Sequence, residues 1–318
     1  MNSSSAPTQT RITRREAGDN IWLARAGGDH TAELEPHQLN YEVLESEEAV
    51  GRAMLDEIET AAREKEGDLT VVILGGRGGQ ALHHLLGRKA KTNELDRLLG
   101  RLNVFTQDAL APMRMDNAFS FVRDFERLLG ETFFAKIKSF TSMQTDAPDL
   151  ERALITYLET LESQSPIDIV FLGLGPEDNA ASHLAYIKPG SGATAASLAG
   201  LIPISPSILE HHITKFKAGG AKFNEADEVE CRNATHILTL GPAAILSAER
   251  IVQSIVDADT APPKRASFQR LIETEISDDQ ETRARQLDEN PGLWIRLNRN
   301  VRSLILPTLL TASPKKPV

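Results

Sequence analysis

Apolar positions along the chain recur with two different spacings, and the changes between them mark where elements begin and end. "YEVL" reads as a strand, and a helix is predicted from Glu45 to about Lys65, where Ala49, Met54, Ile58 and Ala61 fall on one face. "LTVVILGG" then runs apolar without alternation, as suits a strand covered on both faces. A helix across "QALHHLLG", a strand at "LNVFTQ" and a helix started or capped by Asp116 follow, the last with Phe119, Val122, Phe125 and Leu129 at helical spacing. Leu150 to Leu161 predicts another amphipathic helix and "IDIVFLGLG" another core strand. In the second half "LIPIS", "THILTLG", "RIVQSIV", "LWIRLN" and "RSLILP" read as short strands, while "APPKRASFQRLIE" is a helix entered through prolines. Strands that alternate with helices imply an α/β fold, a mostly parallel, doubly wound sheet with helices on both faces.

Residues 1–38 mix Ser, Thr, Arg and Gly with little periodicity, so a flexible extension is expected there, with one short strand at Ile21 to Ala24. Residues 39–312 then form one domain, and 313–318 a solvated tail. With 318 residues the chain can bury a substantial core. The formal charge of -10 changes the picture more, because nucleic-acid affinity rests on clustered Lys and Arg. Nucleic acid is therefore not expected as a partner. The single cysteine, Cys231, excludes an internal disulfide and a thiolate zinc site, and reads as a small buried side chain. No apolar run approaches the roughly 20 residues that span a bilayer, and Met1 to Asn20 lacks the apolar stretch of a secretory signal. A cytoplasmic protein with no membrane partner is the expectation.

Five stretches carry candidate chemistry. "LGGRGG", Leu74 to Gly79, follows a strand and opens a helix; backbone N–H groups of Gly75, Gly76 and Gly78 there can cradle a phosphate, with Arg77 as a bidentate donor. A plain strand-to-helix turn would need the same glycines. Asp108, in "FTQDALAP", stands just beyond the third strand, where a carboxylate with a raised pKa can take a proton from carbon beside a carbonyl. A loop Asp that caps nearby amides is the blander alternative. The pairs His83–His84 and His211–His212 are adjacent, so each offers only one ring to a given site if helical, and surface or half-core roles fit them better than metal binding. In "FLGLGPEDNAASH" a core strand ends in Gly175 and Pro176 and gives way to Glu177, Asp178 and Asn179, at the strand end where open α/β sheets bind ligands. His183 lies four residues beyond Asn179 and shares its face if the segment is helical.

Together these stretches resemble the glucosamine-6-phosphate deaminase and 6-phosphogluconolactonase superfamily, over roughly residues 40 to 310. The resemblance implies a Rossmann-like sheet and a phosphorylated sugar as ligand, with no cofactor and no metal, and it leaves a homo-oligomer open. It puts phosphate on "LGGRGG", and it matches Asp108 to the family's proton-transferring Asp, with Ala109 in place of an acidic neighbour. "MDNAFSFVR" is similar to the segment opening a helix in that family, and "KFNEADEVECRNATHILTLGPAAILSAERIV" to its deaminase branch. By the same resemblance Lys222 falls near a phosphate-binding Arg and Lys264 near a phosphate-binding Lys. "GLGPEDNAAS" resembles Gly-x-Gly-x-Asp-Gly-His-x-Ala, with Asn179 where the family has its histidine and Leu184 where the deaminases have an acidic helper. Asn179 cannot take up a proton at neutral pH. Three functions follow as expectations: an isomerase or deaminase using Asp108 as base with Glu177 or His183 assisting, a lactone hydrolase, or a non-catalytic sugar-phosphate sensor or scaffold.

Overall fold

A computed structural model describes residues 12–27, 31–177 and 179–311. Along the chain come β1 (Ile12–Ala17), β2 (Asn20–Arg25), β3 (Tyr41–Val43), α1 (Glu47–Glu64), β4 (Leu69–Ile73), α2 (Arg77–Ala90), α3 (Asp96–Leu99), β5 (Leu102–Thr106), β6 (Asp108–Ala111), α4 (Phe121–Lys136), β7 (Ser139–Thr141) and α5 (Leu150–Ser163). The second half adds β8 (Ile169–Leu172), β9 (Ser197–Pro203), α6 (Pro206–Ala218), α7 (Glu225–Arg232), β10 (His236–Leu240), α8 (Pro242–Leu246), β11 (Arg250–Ile255), α9 (Pro263–Glu273), α10 (Gln280–Glu289) and β12 (Val301–Ile305). The unbroken apolar runs become the central strands of a parallel seven-stranded sheet, ordered β3-β12-β11-β8-β4-β5-β7, whose edge strand β7 the sequence reading did not name. Every residue of β4, β5 and β8 is buried, which explains why these strands show no alternation.

The two faces of that sheet are covered differently. On one, Val71, Ile73, Ile169 and Phe171 pack with Met54 of α1, Leu82 and Leu86 of α2 and Phe125 of α4. On the other, Val72, Val170 and Leu172 pack with Leu154 and Leu158 of α5, Phe268 of α9, and residues of a second sheet. That second sheet is antiparallel, ordered β1-β2-β9-β10-β6, and the sequence did not anticipate it. The reason lies at Gln107. The chain leaves β5 at Thr106 and enters β6 at Asp108, so one apolar run feeds two sheets and its period conceals the boundary. "LIPIS" and "THILTLG" pair antiparallel with each other rather than joining the parallel sheet.

Other expectations also need correction. The extension expected over residues 1–38 holds a hairpin at residues 12–25, docked by β2 onto β9. Trp22 is fully buried there and donates from Nε1 to the Ser191 carbonyl at 2.8 Å. The short strand expected at Ile21 to Ala24 lies within β2. Residues 1–11 and the tail at 313–318 lie outside the described residues. "LWIRLN" belongs to a buried 3-10 segment, Pro291–Leu297, because a short buried apolar run entered through Asn290 and Pro291 has no period that separates strand from helix. Asp116 is exposed and pairs with Arg114, and Ser120 caps α4 instead, its hydroxyl accepting from Val122 N at 3.2 Å.

Candidate active site

The order of the parallel sheet reverses between β4 and β8. From β4 the chain builds outward through β5 and β7, then returns to lay β8 against the other side of β4. The loops leaving these two strands therefore diverge and open a crevice at their carboxyl ends. A cavity of about 630 Å³ occupies that crevice, lined by Gly75 to Gly78, Asp108, Gly175 to Glu177, His183 and Lys264 among others. Most sequence candidates thus converge. Lys222 and Asn179 do not: Lys222 is exposed between α6 and α7 and is absent from the lining. Asn179 turns its side-chain oxygen back to accept from Ala181 N at 3.0 Å, while its carbonyl accepts from Arg270 at 3.0 Å. Asp178 lies outside the described residues.

At one end of the cavity β4 gives way to Leu74, Gly75 and Gly76. Gly76 has φ of 72°, a left-handed conformation that disfavours a side chain, and it starts α2 with no side-chain cap. The helix N-terminus is thus presented to the cavity with its amide groups available. Arg77 is less free than expected: its guanidinium pairs with Glu47 and reaches Gln80 Oε1 at 3.1 Å. Facing it are three residues on which the sequence reading placed no weight. Ser254, at 1% exposure, has an Oγ with no hydrogen-bond partner among the described residues. Asp257, just past β11, is held at 2.5 Å by Lys264 and at 3.5 Å by Lys215 of α6. Burial alone would raise the Asp257 carboxyl, but the two lysines hold it below the usual carboxylate value. Burial in turn lowers Lys264, against the pull of Asp257.

Asp108 opens β6 opposite Thr239 rather than standing in a loop, and it is 4% exposed. Among the described residues its side-chain hydrogen-bond partner is Gln107, whose Nε2 donates to Oδ2 at 2.9 Å. Burial pushes the carboxyl up to about 7, opposed by the Gln107 hydrogen bond. Nearby, His212 of α6 donates from Nε2 to the Phe119 carbonyl at 2.8 Å, so its Nδ1 accepts from the Tyr186 hydroxyl at 3.3 Å. Burial lowers His212 to about 4, and the ring is neutral at pH 7. Both His211 and His212 line the cavity, contrary to the expectation that one ring of the pair could serve a site, because the cavity wraps past two sides of α6. His83 is in the core against Phe125, and His84 is exposed.

Glu177 and His183 meet through a tight turn, not a helix. Pro176 bridges to Ser182, Glu177 N donates to the Ala181 carbonyl at 2.9 Å, and His183 N donates to the Gly175 carbonyl at 2.8 Å. His183 therefore shares no helical face with Asn179; the turn instead brings its Nε2 within 2.5 Å of Glu177 Oε1. That hydrogen bond, the largest influence on Glu177, holds its carboxyl below the usual value, so an ionised Glu177 accepts from the ring. A Cβ on Gly175 would stand 2.7 Å from His183 Nδ1, so only glycine lets the ring lie this close to the backbone. Three outer groups fix the turn. Ser267 Oγ donates to the Ala181 carbonyl at 2.9 Å, Asn290 Oδ1 accepts from Ser182 N at 2.8 Å, and Gly292 N donates to the Ser182 carbonyl at 2.8 Å. The cavity thus combines a buried carboxyl titrating near neutrality, a carboxylate–imidazole pair and a cationic end. Among the described residues no group of three or more His, Cys, Asp or Glu side chains could hold a metal ion.

Of the further lining residues, only His212 and Asp257 left a signal in the sequence. The His211–His212 pair was visible as a pair, and Asp257 stands at the end of a strand just as Asp108 follows one. Nothing in the sequence distinguishes Tyr186, Lys215 or Ser254, because folding alone brings them to the crevice.

No family model matches the chain. A glucosamine-6-phosphate deaminase from Bacillus pumilus is 27% identical over 158 residues, which are 50% of this chain and 56% of that protein. The match thus spans little more than half the length of that curated relative. Among solved structures, a monomeric glucosamine-6-phosphate deaminase aligns with a TM-score of 0.64 at 20% identity, over 85% of this chain and 98% of the other. A 6-phosphogluconolactonase from Thermotoga maritima aligns at 0.56 and 16%, over 85% and 99%. One from Trypanosoma cruzi aligns at 0.60 and 15%, over 88% and 99%. At these identities the structural likeness carries the fold.

Proposed function

We infer that this chain, a divergent member of the glucosamine-6-phosphate deaminase and 6-phosphogluconolactonase superfamily, is an isomerase- or deaminase-type enzyme acting on a phosphorylated sugar. The observation that carries the reading is Asp108, a buried carboxyl raised to about 7 inside the crevice. A general base works best when its pKa lies near the operating pH. Asp108 takes the proton from the carbon beside the carbonyl of the open-chain sugar, the enediol forms, and the same carboxyl returns the proton to the neighbouring carbon. The Glu177–His183 pair serves the oxygens, because a ring held by an ionised carboxylate can give and regain a proton at a sugar hydroxyl or ring oxygen. It stands in for the histidine that Asn179 replaces. Phosphate rests on the N-terminus of α2 with Lys264 and the unpartnered Ser254 hydroxyl.

A second reading, hydrolysis of a sugar lactone, draws on the same Glu177–His183 pair, which would then activate water. The experiment that tests both uses heavy water. Incubation with glucosamine 6-phosphate and with aldose and ketose hexose phosphates is expected to incorporate deuterium at the carbon beside the carbonyl. Asp108→Asn keeps the shape and removes the base, so exchange falls by about 100-fold or more while calorimetric affinity changes little. Lactone hydrolysis without exchange would favour the second reading. Binding without either reaction would leave a sugar-phosphate sensor.

A further inference from the structure

The turn after His183 puts a tyrosine into the cavity by way of a disfavoured backbone conformation. Leu184 N donates to the Ile187 carbonyl at 3.3 Å and Ile187 N to the Leu184 carbonyl at 2.8 Å, which closes a tight turn over Ala185 and Tyr186. Ala185 takes φ of 51°, a left-handed conformation that disfavours a side chain. Such strain persists only where the surroundings hold it, and it gathers at ligand sites. Both residues of the turn line the cavity.

The proton of the Tyr186 hydroxyl has one direction in which to point. His212 is clamped, stacked on Phe216 with ring centroids 4.4 Å apart and edge-on to Phe121 at 5.2 Å, and it gives its Nε2 proton to the Phe119 carbonyl at 2.8 Å. In the neutral ring Nδ1 can then only accept, so the hydroxyl donates to it at 3.3 Å. Burial, then the charge of Asp108, raises the phenol above its usual value, and it keeps its proton. The Tyr186 oxygen therefore faces the cavity as an acceptor, with no donor to it among the described residues.

Resting on the reading that the cavity takes a phosphorylated sugar with Asp108 as base, we propose that Tyr186 is a specificity-determining residue: it accepts a hydrogen bond from the substituent on the carbon that Asp108 deprotonates, and so requires a hydroxyl or amino group there. Asp108 is the first charge to act on the Tyr186 hydroxyl, and the two share the cavity wall, so the carbon under attack by one presents its substituent to the other. A ligand with a donor at that carbon satisfies the Tyr186 oxygen. A ligand without one leaves the oxygen desolvated and unpaired, which costs affinity even when the shape is the same. His212 is a positioning residue in this scheme, because its accepting Nδ1 stops the hydroxyl from turning to donate to the ligand.

The test is calorimetry with glucose 6-phosphate, 2-deoxyglucose 6-phosphate, 2-deoxy-2-fluoroglucose 6-phosphate and glucose. Fluorine keeps the lone pairs of the hydroxyl and has no proton to give. The wild type is expected to bind glucose 6-phosphate about tenfold more tightly than either analogue. Tyr186→Phe keeps the ring and is expected to bring the three phosphates within about threefold of one another, by weakening glucose 6-phosphate alone. His212→Phe, which frees the hydroxyl to turn, is expected to narrow the hydroxyl-to-fluorine ratio to about threefold with Tyr186 still present; an unchanged ratio overturns the positioning role of His212. A wild type that binds the three phosphates equally overturns the assignment of Tyr186 whether or not the variants fold, and so does a Tyr186→Phe variant that keeps the tenfold preference. Both results leave the phosphorylated-sugar reading in place. Glucose bound as tightly as glucose 6-phosphate overturns that reading instead.

Discussion

Asp108 links stability and activity through one proton. Its folded pKa of about 7 lies above the usual 3.8, so the folded state holds the proton over a pH range in which the unfolded chain has lost it. The stability it contributes is complete below about pH 4 and is lost progressively as pH rises through 7. A shift of this size corresponds to a cost of about 3–4 kcal/mol at pH 8 relative to pH 4. Asp108→Asn removes that cost, so the melting temperature of the variant is expected to gain on the wild type between pH 4 and pH 8. Parallel melting curves with no widening gap would show that the carboxyl ionises normally. The same titration sets activity: kcat/KM rises with pH through an apparent pKa near 7 if Asp108 is the base. The residue's identity was legible in "FTQDALAP", but its pKa was not, since burial depends on β10 and on Tyr157 and Tyr186, which come from elsewhere in the chain.

At the scale of elements, the β1–β2 hairpin and the Glu177–His183 turn decide most. Composition marked residues 1–38 as an extension because β1 is polar almost throughout, an edge strand with one exposed side. What docks it is Trp22, fully buried and packed over Gly200 on β9, where a Cβ would meet the indole at 2.7 Å. Trp22→Ala is expected to cost about 3–5 kcal/mol, seen as a lower midpoint in urea unfolding. An unchanged midpoint would mean that the hairpin adds nothing to the stability of the sheet. The turn from Gly175 to His183 shows the opposite limit of sequence reading. Its chemistry was visible as a missing histidine, but helical spacing was the wrong guide. A bridge between Pro176 and Ser182 closes the turn and pairs residues six apart, a separation that no helix places on one face.

At the scale of the whole molecule, the crevice depends on where the sheet order reverses, and that places the two lysines suggested by resemblance in different settings. Lys264 is buried in the cavity wall and Lys222 is exposed outside it. Lys264→Ala is therefore expected to weaken glucosamine 6-phosphate binding by about tenfold or more relative to glucosamine, the loss of one charge-assisted contact, and Lys222→Ala to leave it unchanged. Equal effects of the two substitutions in titration calorimetry would remove Lys264 from the site. The sequence by itself determined the central strands of the parallel sheet, since strands buried on both faces are largely apolar and show no alternation. It determined the glycine turn after β4 and the presence of Asp108, because each is a local feature of a few neighbouring residues. Only the tertiary structure decided the rest. The antiparallel sheet, the Glu177–His183 pair and the Lys215–Asp257–Lys264 cluster join residues whose proximity comes from strand order and turn closure, and no local period or spacing encodes which distant side chains will share a desolvated crevice.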